Sequence, residues 1–283
     1  MNRLAVITDE ISEDFAHVLQ VCSNLGIYDL ELRSIDGVSI VDHSSNRLHQ
    51  MKSMIDEGGF GVCSIASPFL KTHIGDDKTE IGNVHSAQDL TREQHWDVLK
   101  RSLEIAHLLD APIVRAFSFW RVQNPESVRE DILETLGKAT EIVRDAGKTL
   151  GLENEHACNI GSGIEAKWYL DRLPDPTLGI IWDPGNIAAL GAEPNKAQYD
   201  AVAERITHVH VKDGDAIPAQ TFVPPGEGVC DWESQLRWLH QGGYGGPLSL
   251  ETHFDLDGSR EAGTRKIASD LRVLARNAGM PLA

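Results

Sequence analysis

Residues 149–156, TLGLENEH, read as a buried strand that turns polar at its C-terminal end, with Glu153 where the strand gives way to a loop. Three later stretches repeat the form. LGIIWDP (178–184) delivers Asp183, ITHVHVKD (206–213) delivers His210, and LSLETHF (248–254) delivers Glu251. The four residues are separated by 30, 27 and 41 positions, about one strand–helix unit each. Three carboxylates and one imidazole converging on a point make an oxygen-rich, mixed site for a single divalent metal ion.

Outward from these runs, apolar strand patterns begin near residues 4, 28, 60, 112, 148, 178, 206 and 247, which makes eight. Helical patterns separate them. SEDFAHVLQVCSNLG places Phe15, Val18, Leu19 and Cys22 on one face and stops at Gly26. Thr91 and Gln94 have the spacing of a capping box. PESVREDILETLGKATEIVRDAG opens on a proline suited to a first turn and stops at Gly147, and DWESQLRWLHQGG runs from an Asp231 cap to Gly242. Alternating strand and helix implies an α/β fold with a parallel sheet. Eight units with no linker predict one domain over residues 1–283, a closed (β/α)8 TIM barrel. A doubly wound open sheet is the alternative, but it wants a glycine-rich first turn, and ITDEIS has no glycine. Residues 69–91 lack an apolar period and read as an enlarged loop on the catalytic face, or else as a surface insertion.

The length of 283 residues suits one such barrel, which buries roughly three quarters of its unfolded surface without a covalent staple. No run approaches the length of a membrane span, and MNRLAVITDEI reads as a strand, so a cytoplasmic protein with no membrane partner is expected. Cys22, Cys63, Cys158 and Cys230 lie far apart and read as free thiols, without zinc-finger spacing. The net charge of −17, from 43 acidic and 26 basic residues, argues against a nucleic-acid partner.

Strand alternation puts Gly151, Glu153 and Glu155 on one face, His208, His210 and Lys212 on another, and Ser249, Glu251 and His253 on a third. Isolated buried charge is prohibitive, so convergent acids require a cation or pairing bases. The plainer reading is that these residues cap helices or pair locally. Arg33, closing YDLELR, and Arg115, closing PIVR, can reach the mouth of a barrel and bind hydroxyl, carboxylate or phosphate groups, although Arg33 has Glu31 and Asp36 as local partners. Trp232 either approaches the site or packs its helix.

ENEHACN, WDPGN, HVHVKD, GEG-x3-W and SLETHF, in that order along eight units, resemble the xylose-isomerase-like TIM barrels over nearly the whole chain. That superfamily includes sugar and sugar-phosphate isomerases and epimerases, dehydratases and AP endonucleases. The resemblance implies Glu153, Asp183, His210 and Glu251 as metal ligands, with Glu153 and Glu251 also exchanging the substrate proton. Glu155 stands two residues from Glu153 and could trade roles with it; Glu153 is preferred because it directly follows the apolar GL step. Lys71 lies in an SP-x-x-K segment like that of some relatives. Glu155, His156, Asn186, Lys212, Arg33, Lys71, Arg115 and His253 are candidates for holding substrate. Asn186 stands where family members often carry a histidine, and GEGVCDWES has no histidine, which departs from the trinuclear AP endonuclease pattern.

The resemblance, taken with this site, implies a metal-dependent isomerase or epimerase of a sugar, sugar phosphate or related hydroxy-carbonyl compound, working through an enediolate. Mn²⁺ or Mg²⁺ suits the carboxylate-rich set best, with Zn²⁺ or Co²⁺ feasible. A metal-dependent dehydratase on the same barrel is the first rival, and a sugar-binding barrel without turnover is the second. The resemblance also implies assembly as a homodimer or homotetramer.

Overall fold

The alternation of strand and helix closes on itself. The computed structural model describes residues 2–74 and 90–282. Eight parallel strands form a closed barrel: β1 (Leu4–Ile7), β2 (Asp29–Leu32), β3 (Gly61–Phe69), β4 (Ile113–Ala116), β5 (Thr149–Glu153), β6 (Leu178–Trp182), β7 (Ile206–Val211) and β8 (Leu248–Leu250). Each pairs with its neighbour in sequence, and β8 closes against β1, so no barrel strand presents an open edge. Of the expected loop over 69–91, Phe69 belongs to β3, and residues 75–89 lie outside the described residues.

Helices α1 (Phe15–Leu25), α2 (Ser45–Gly58), α3 (Arg92–Leu108), α4 (Arg129–Asp145), α5 (Gly163–Leu170), α6 (Pro184–Leu190), α7 (Lys196–Asp200), α8 (Trp232–Gln241) and α9 (Arg260–Asn277) follow the strands. The sequence punctuation holds at several ends. Asp14 caps α1 and Gly26 closes it in the left-handed conformation. Thr91 and Gln94 form both halves of a capping box on α3, and Asp231 caps α8. Pro125 instead opens a short 3-10 turn, so α4 begins only at Arg129. The β6–β7 connection is made of the two shortest helices, α6 and α7, too brief to show an apolar period.

Leu150 and Leu152, Ile180 and Trp182, Val209 and Val211, and Leu248 and Leu250 are fully buried in the main apolar core. Each such side chain stabilises the fold by about 2 kcal/mol. The alternate positions face the barrel interior, where the polar groups collect. Gly151 has a packing reason: a Cβ there would lie 2.9 Å from side-chain atoms of both Ile113 and Ile181. Two irregularities of register matter below. The β2–β3 pairing shifts between Leu30 and Glu31, and the β6–β7 pairing shifts between Ile180 and Ile181.

Candidate active site

At the C-terminal mouth, Glu153 ends β5, Asp183 follows β6, His210 is the penultimate residue of β7, and Glu251 follows β8. One ligand atom from each lies within 4.8 Å of the others, and all four residues are buried. His210 Nδ1 is 3.1 Å from Glu251 Oε2 and 3.4 Å from Glu153 Oε1. The Asn186 amide ties the other side together, donating to Glu153 Oε1 at 3.2 Å and to Asp183 Oδ2 at 3.1 Å. Asp183 is also a helix cap: its Oδ1 accepts from the Asn186 backbone N–H at the start of α6. The capping that offered a plainer reading of Asp183 therefore coexists with convergence, since Oδ2 remains turned to the cluster.

Pairing bases are present as well. Lys212 Nζ lies 2.8 Å from Asp183 Oδ2 and 3.0 Å from Glu251 Oε2. Far from being solvated, Lys212 is 3% exposed. Arg115 reaches from β4 to Glu153 Oε2 at 3.1 Å and donates to the Ala66 carbonyl. Arg33 does not pair with Glu31 or Asp36. It binds both Asp9 oxygens through Nε, Glu10 at 2.6 Å and Glu251 Oε1 at 2.9 Å.

Burial opposes the charge on Glu251, yet Lys212 and His210 outweigh it and hold this carboxyl well below its usual range. Asp183 shares Lys212 but is enclosed more completely, and burial, reinforced by Glu251 and Glu153, pushes it up to about 6. Burial likewise opposes the charge on His210, but Glu31, Glu251 and Glu153 raise it well above the ordinary imidazole value.

The donor set fits a divalent ion. It offers three carboxylates and an imidazole nitrogen in a buried cluster whose ligand atoms lie within 4.8 Å of one another. Glu155 does not belong to it. Its carboxylate faces Lys71 Nζ at 3.5 Å and His156 Nδ1 at 2.8 Å. That same His156 nitrogen lies 2.9 Å from Asn186 Oδ1, so it carries a proton shared between the two acceptors. Lys71 also lies over the Phe117 ring at 4.4 Å.

A cavity of about 670 Å³ opens above the cluster. Arg33, Lys71, Arg115, Glu155, His156, Asn186, Lys212, Glu251 and His253 all line it, while Glu153, Asp183 and His210 sit deeper. Its size suits a small polar molecule. His253 adopts a left-handed φ of 43°, uncommon for a residue other than glycine, with its ring 3.2 Å from Glu10 and 3.6 Å from Glu251. Gly185 of WDPGN permits the approach of β7, because a Cβ there would lie 2.8 Å from the Lys212 backbone oxygen. Trp232 packs instead of reaching the cavity, and its buried indole N–H donates to the Lys212 carbonyl.

Sequence reasoning missed Asp9, Glu10 and Glu31. Asp9 and Glu10 follow β1 in ITDE, the same strand-end position that singled out the other four. Glu31 lies between Leu30 and Leu32 in DLELR, where alternation puts it on the interior face below Arg33.

A family described as xylose isomerase-like TIM barrel matches residues 19–276. The L-ribulose-5-phosphate 3-epimerase UlaE of Escherichia coli (strain SMS-3-5 / SECEC) is 24% identical over 267 residues, covering 93% of this chain and 90% of the relative. A solved structure of L-ribulose 3-epimerase superposes with a TM-score of 0.75 at 17% identity, over 99% of this chain and 96% of that one. The IOLI protein with a bound zinc atom also gives 0.75 at 17% identity, over 97% and 99%. At these identities the two structures speak to the fold alone. The extent of the family match, together with the closed barrel, places this chain in the xylose isomerase-like TIM barrel family.

Proposed function

We propose that the protein is a divalent-metal-dependent isomerase or epimerase of a sugar, sugar phosphate or related hydroxy-carbonyl compound. The observation that carries this reading is the cluster of Glu153, Asp183, His210 and Glu251, two of whose carboxylates come from strands three apart around the barrel and meet beneath a polar cavity. The relation to an L-ribulose-5-phosphate 3-epimerase supports the reaction class. Mn²⁺ or Mg²⁺ suits these ligands best, and Zn²⁺ or Co²⁺ would serve. When bound, such an ion supplies positive charge beside the substrate carbonyl and acidifies the neighbouring C–H.

Everything else is the work of side chains. One of Glu153 and Glu251 removes the proton next to the carbonyl, giving an enediolate. The other returns a proton, to the opposite face in an epimerisation or to the adjacent carbon in an isomerisation. Arg115 fixes one oxygen of Glu153, and Arg33 and Lys212 fix Glu251, so neither carboxylate has to reorganise on binding. Glu155, His156, Lys71 and His253 offer acceptors and donors to substrate hydroxyls at the cavity wall.

Metal analysis of the purified protein beside Glu251→Gln tests the reading. About one ion per chain in the wild type, weaker retention in the variant, and a fall in C–H exchange of at least ~10²-fold are expected. A wild type with no affinity for divalent ions, or a variant with full exchange, rejects it. A new enone absorbance during turnover would indicate a dehydratase instead.

A further inference from the structure

Below the cluster, Glu31 is fully buried and is met by two imidazoles. His208 Nε2 lies 2.8 Å from Glu31 Oε2, and His210 Nε2 lies 3.1 Å from Oε2 and 3.2 Å from Oε1. Glu31 has no Lys or Arg ion pair among the described residues; its ion-pair partners are the two histidines. His208 Nδ1 is buried with no hydrogen-bond partner among the described residues, so the ring proton belongs on Nε2, facing Glu31.

We propose that Glu31 is the positioning residue for the metal-binding imidazole, taking the Nε2–H of His210 and thereby presenting Nδ1 to the cluster, with His208 anchoring the carboxylate from below. This rests on the reading of His210 as a metal ligand.

Three observations carry it. His210 uses its two nitrogens on opposite sides: Nε2 faces Glu31, and Nδ1 faces Glu153 and Glu251. A carboxylate on the far nitrogen of a ligating histidine fixes both the tautomer and the ring orientation. The backbone is also adjusted at both supporting residues. The β2–β3 register slips so that Glu31 pairs with Ser64 while Leu30 pairs with Val62, leaving Cys63 as the extra residue. The β6–β7 register slips so that Ile181 pairs with His208 while Ile180 pairs with Ile206, leaving Thr207 extra immediately before His208. Bulges of this kind re-aim side chains next to functional sites. Finally, the two imidazoles are the ion-pair partners of this fully buried carboxylate among the described residues, so its orientation and that of the His210 ring are set together.

The test uses Zn²⁺ and the full chain. NMR of ¹⁵N-histidine-labelled, zinc-loaded wild type is expected to show His210 coordinated through Nδ1 with a proton on Nε2. Competition with a chelating dye is expected to show Glu31→Gln binding one Zn²⁺ per chain about 10- to 100-fold more weakly. Coordination through Nε2, a second Zn²⁺ that requires Glu31, or an unchanged affinity in a folded Glu31→Gln would overturn the proposal. A variant that only lost thermal stability, with the affinity of its folded fraction intact, would also overturn it. The wild-type spectrum decides the coordinating atom even if Glu31→Gln does not fold. Failure of the underlying reading looks different: His210→Ala would then bind Zn²⁺ as tightly as the wild type.

Discussion

Arg115 holds Glu153 by one oxygen, Oε2 at 3.1 Å, and leaves Oε1 turned toward His210 and Asn186. The guanidinium is 2% exposed and is also fixed by the Ala66 carbonyl, so its loss would strand a buried carboxylate. Arg115→Met is expected to destabilise the fold by about 3–5 kcal/mol, as breaking a buried pair does. Urea unfolding measures this, and a change below about 1 kcal/mol would show that Glu153 does not depend on Arg115.

The two neighbouring acids on the β5 run have separable surroundings. Glu153 faces the cluster, and Glu155 faces Lys71 and His156. Glu153→Gln should therefore weaken metal binding at least about 10-fold, while Glu155→Gln should leave it nearly unchanged and raise KM. Metal titration of both variants decides the matter. The opposite ranking would exchange their roles.

His95 gives the fold a pH dependence away from the site. Its ring is buried, Nδ1 accepts from the Leu70 N–H, and burial lowers its pKa to about 4. The folded chain holds this imidazole neutral, whereas the unfolded chain protonates it below the ordinary value near 6.5. Its contribution is present above that value and is lost as pH falls from about 6.5 toward 4, costing about 2 kcal/mol between pH 7.5 and 5. Unfolding free energies from denaturant titration at the two pH values should differ less by that amount in His95→Asn, which can keep an acceptor for Leu70. An equal pH dependence in both proteins would remove His95 as the source.

Gly185 allows β7 to lie close to the start of α6. Gly185→Ala would set a Cβ 2.8 Å from both the Lys212 backbone oxygen and its Cγ. A stability loss of about 1–3 kcal/mol is expected from such overpacking, with a raised KM as Lys212 shifts. Thermal melts and steady-state kinetics check this, and a variant indistinguishable from the wild type would show that the approach is soft.

The barrel was legible because period-two alternation and helix caps are local signals, while Lys71 and Asn186 of the cavity wall were placed by the family resemblance. The polar residues closing TLGLENEH, LGIIWDP, ITHVHVKD and LSLETHF came together as their strand positions implied. What stayed hidden depends on contacts between distant segments. Nothing local says that Arg33 passes over Glu31 to reach Asp9, Glu10 and Glu251, or that Lys212 is buried between two carboxylates. Glu31 was read only as a local partner for Arg33, because nothing near DLELR in the sequence shows that His208 and His210 meet it across the barrel. The choice between Glu153 and Glu155 could not be made by alternation, which puts both on one side. The chain's departure from β geometry after Glu153 separates them.

Deuterium wash-in at the substrate C–H probes the proposed proton transfer by Glu153 and Glu251. The metal-loaded protein would be incubated in D₂O with a panel of ketoses, aldoses, inososes and small hydroxy-ketoacids, and NMR would follow the C–H next to each carbonyl. Exchange is expected with at least one compound, reduced at least ~10²-fold in both Glu153→Gln and Glu251→Gln. Exchange that persists undiminished in either variant, or metal-loaded protein that exchanges nothing across the panel, would contradict it.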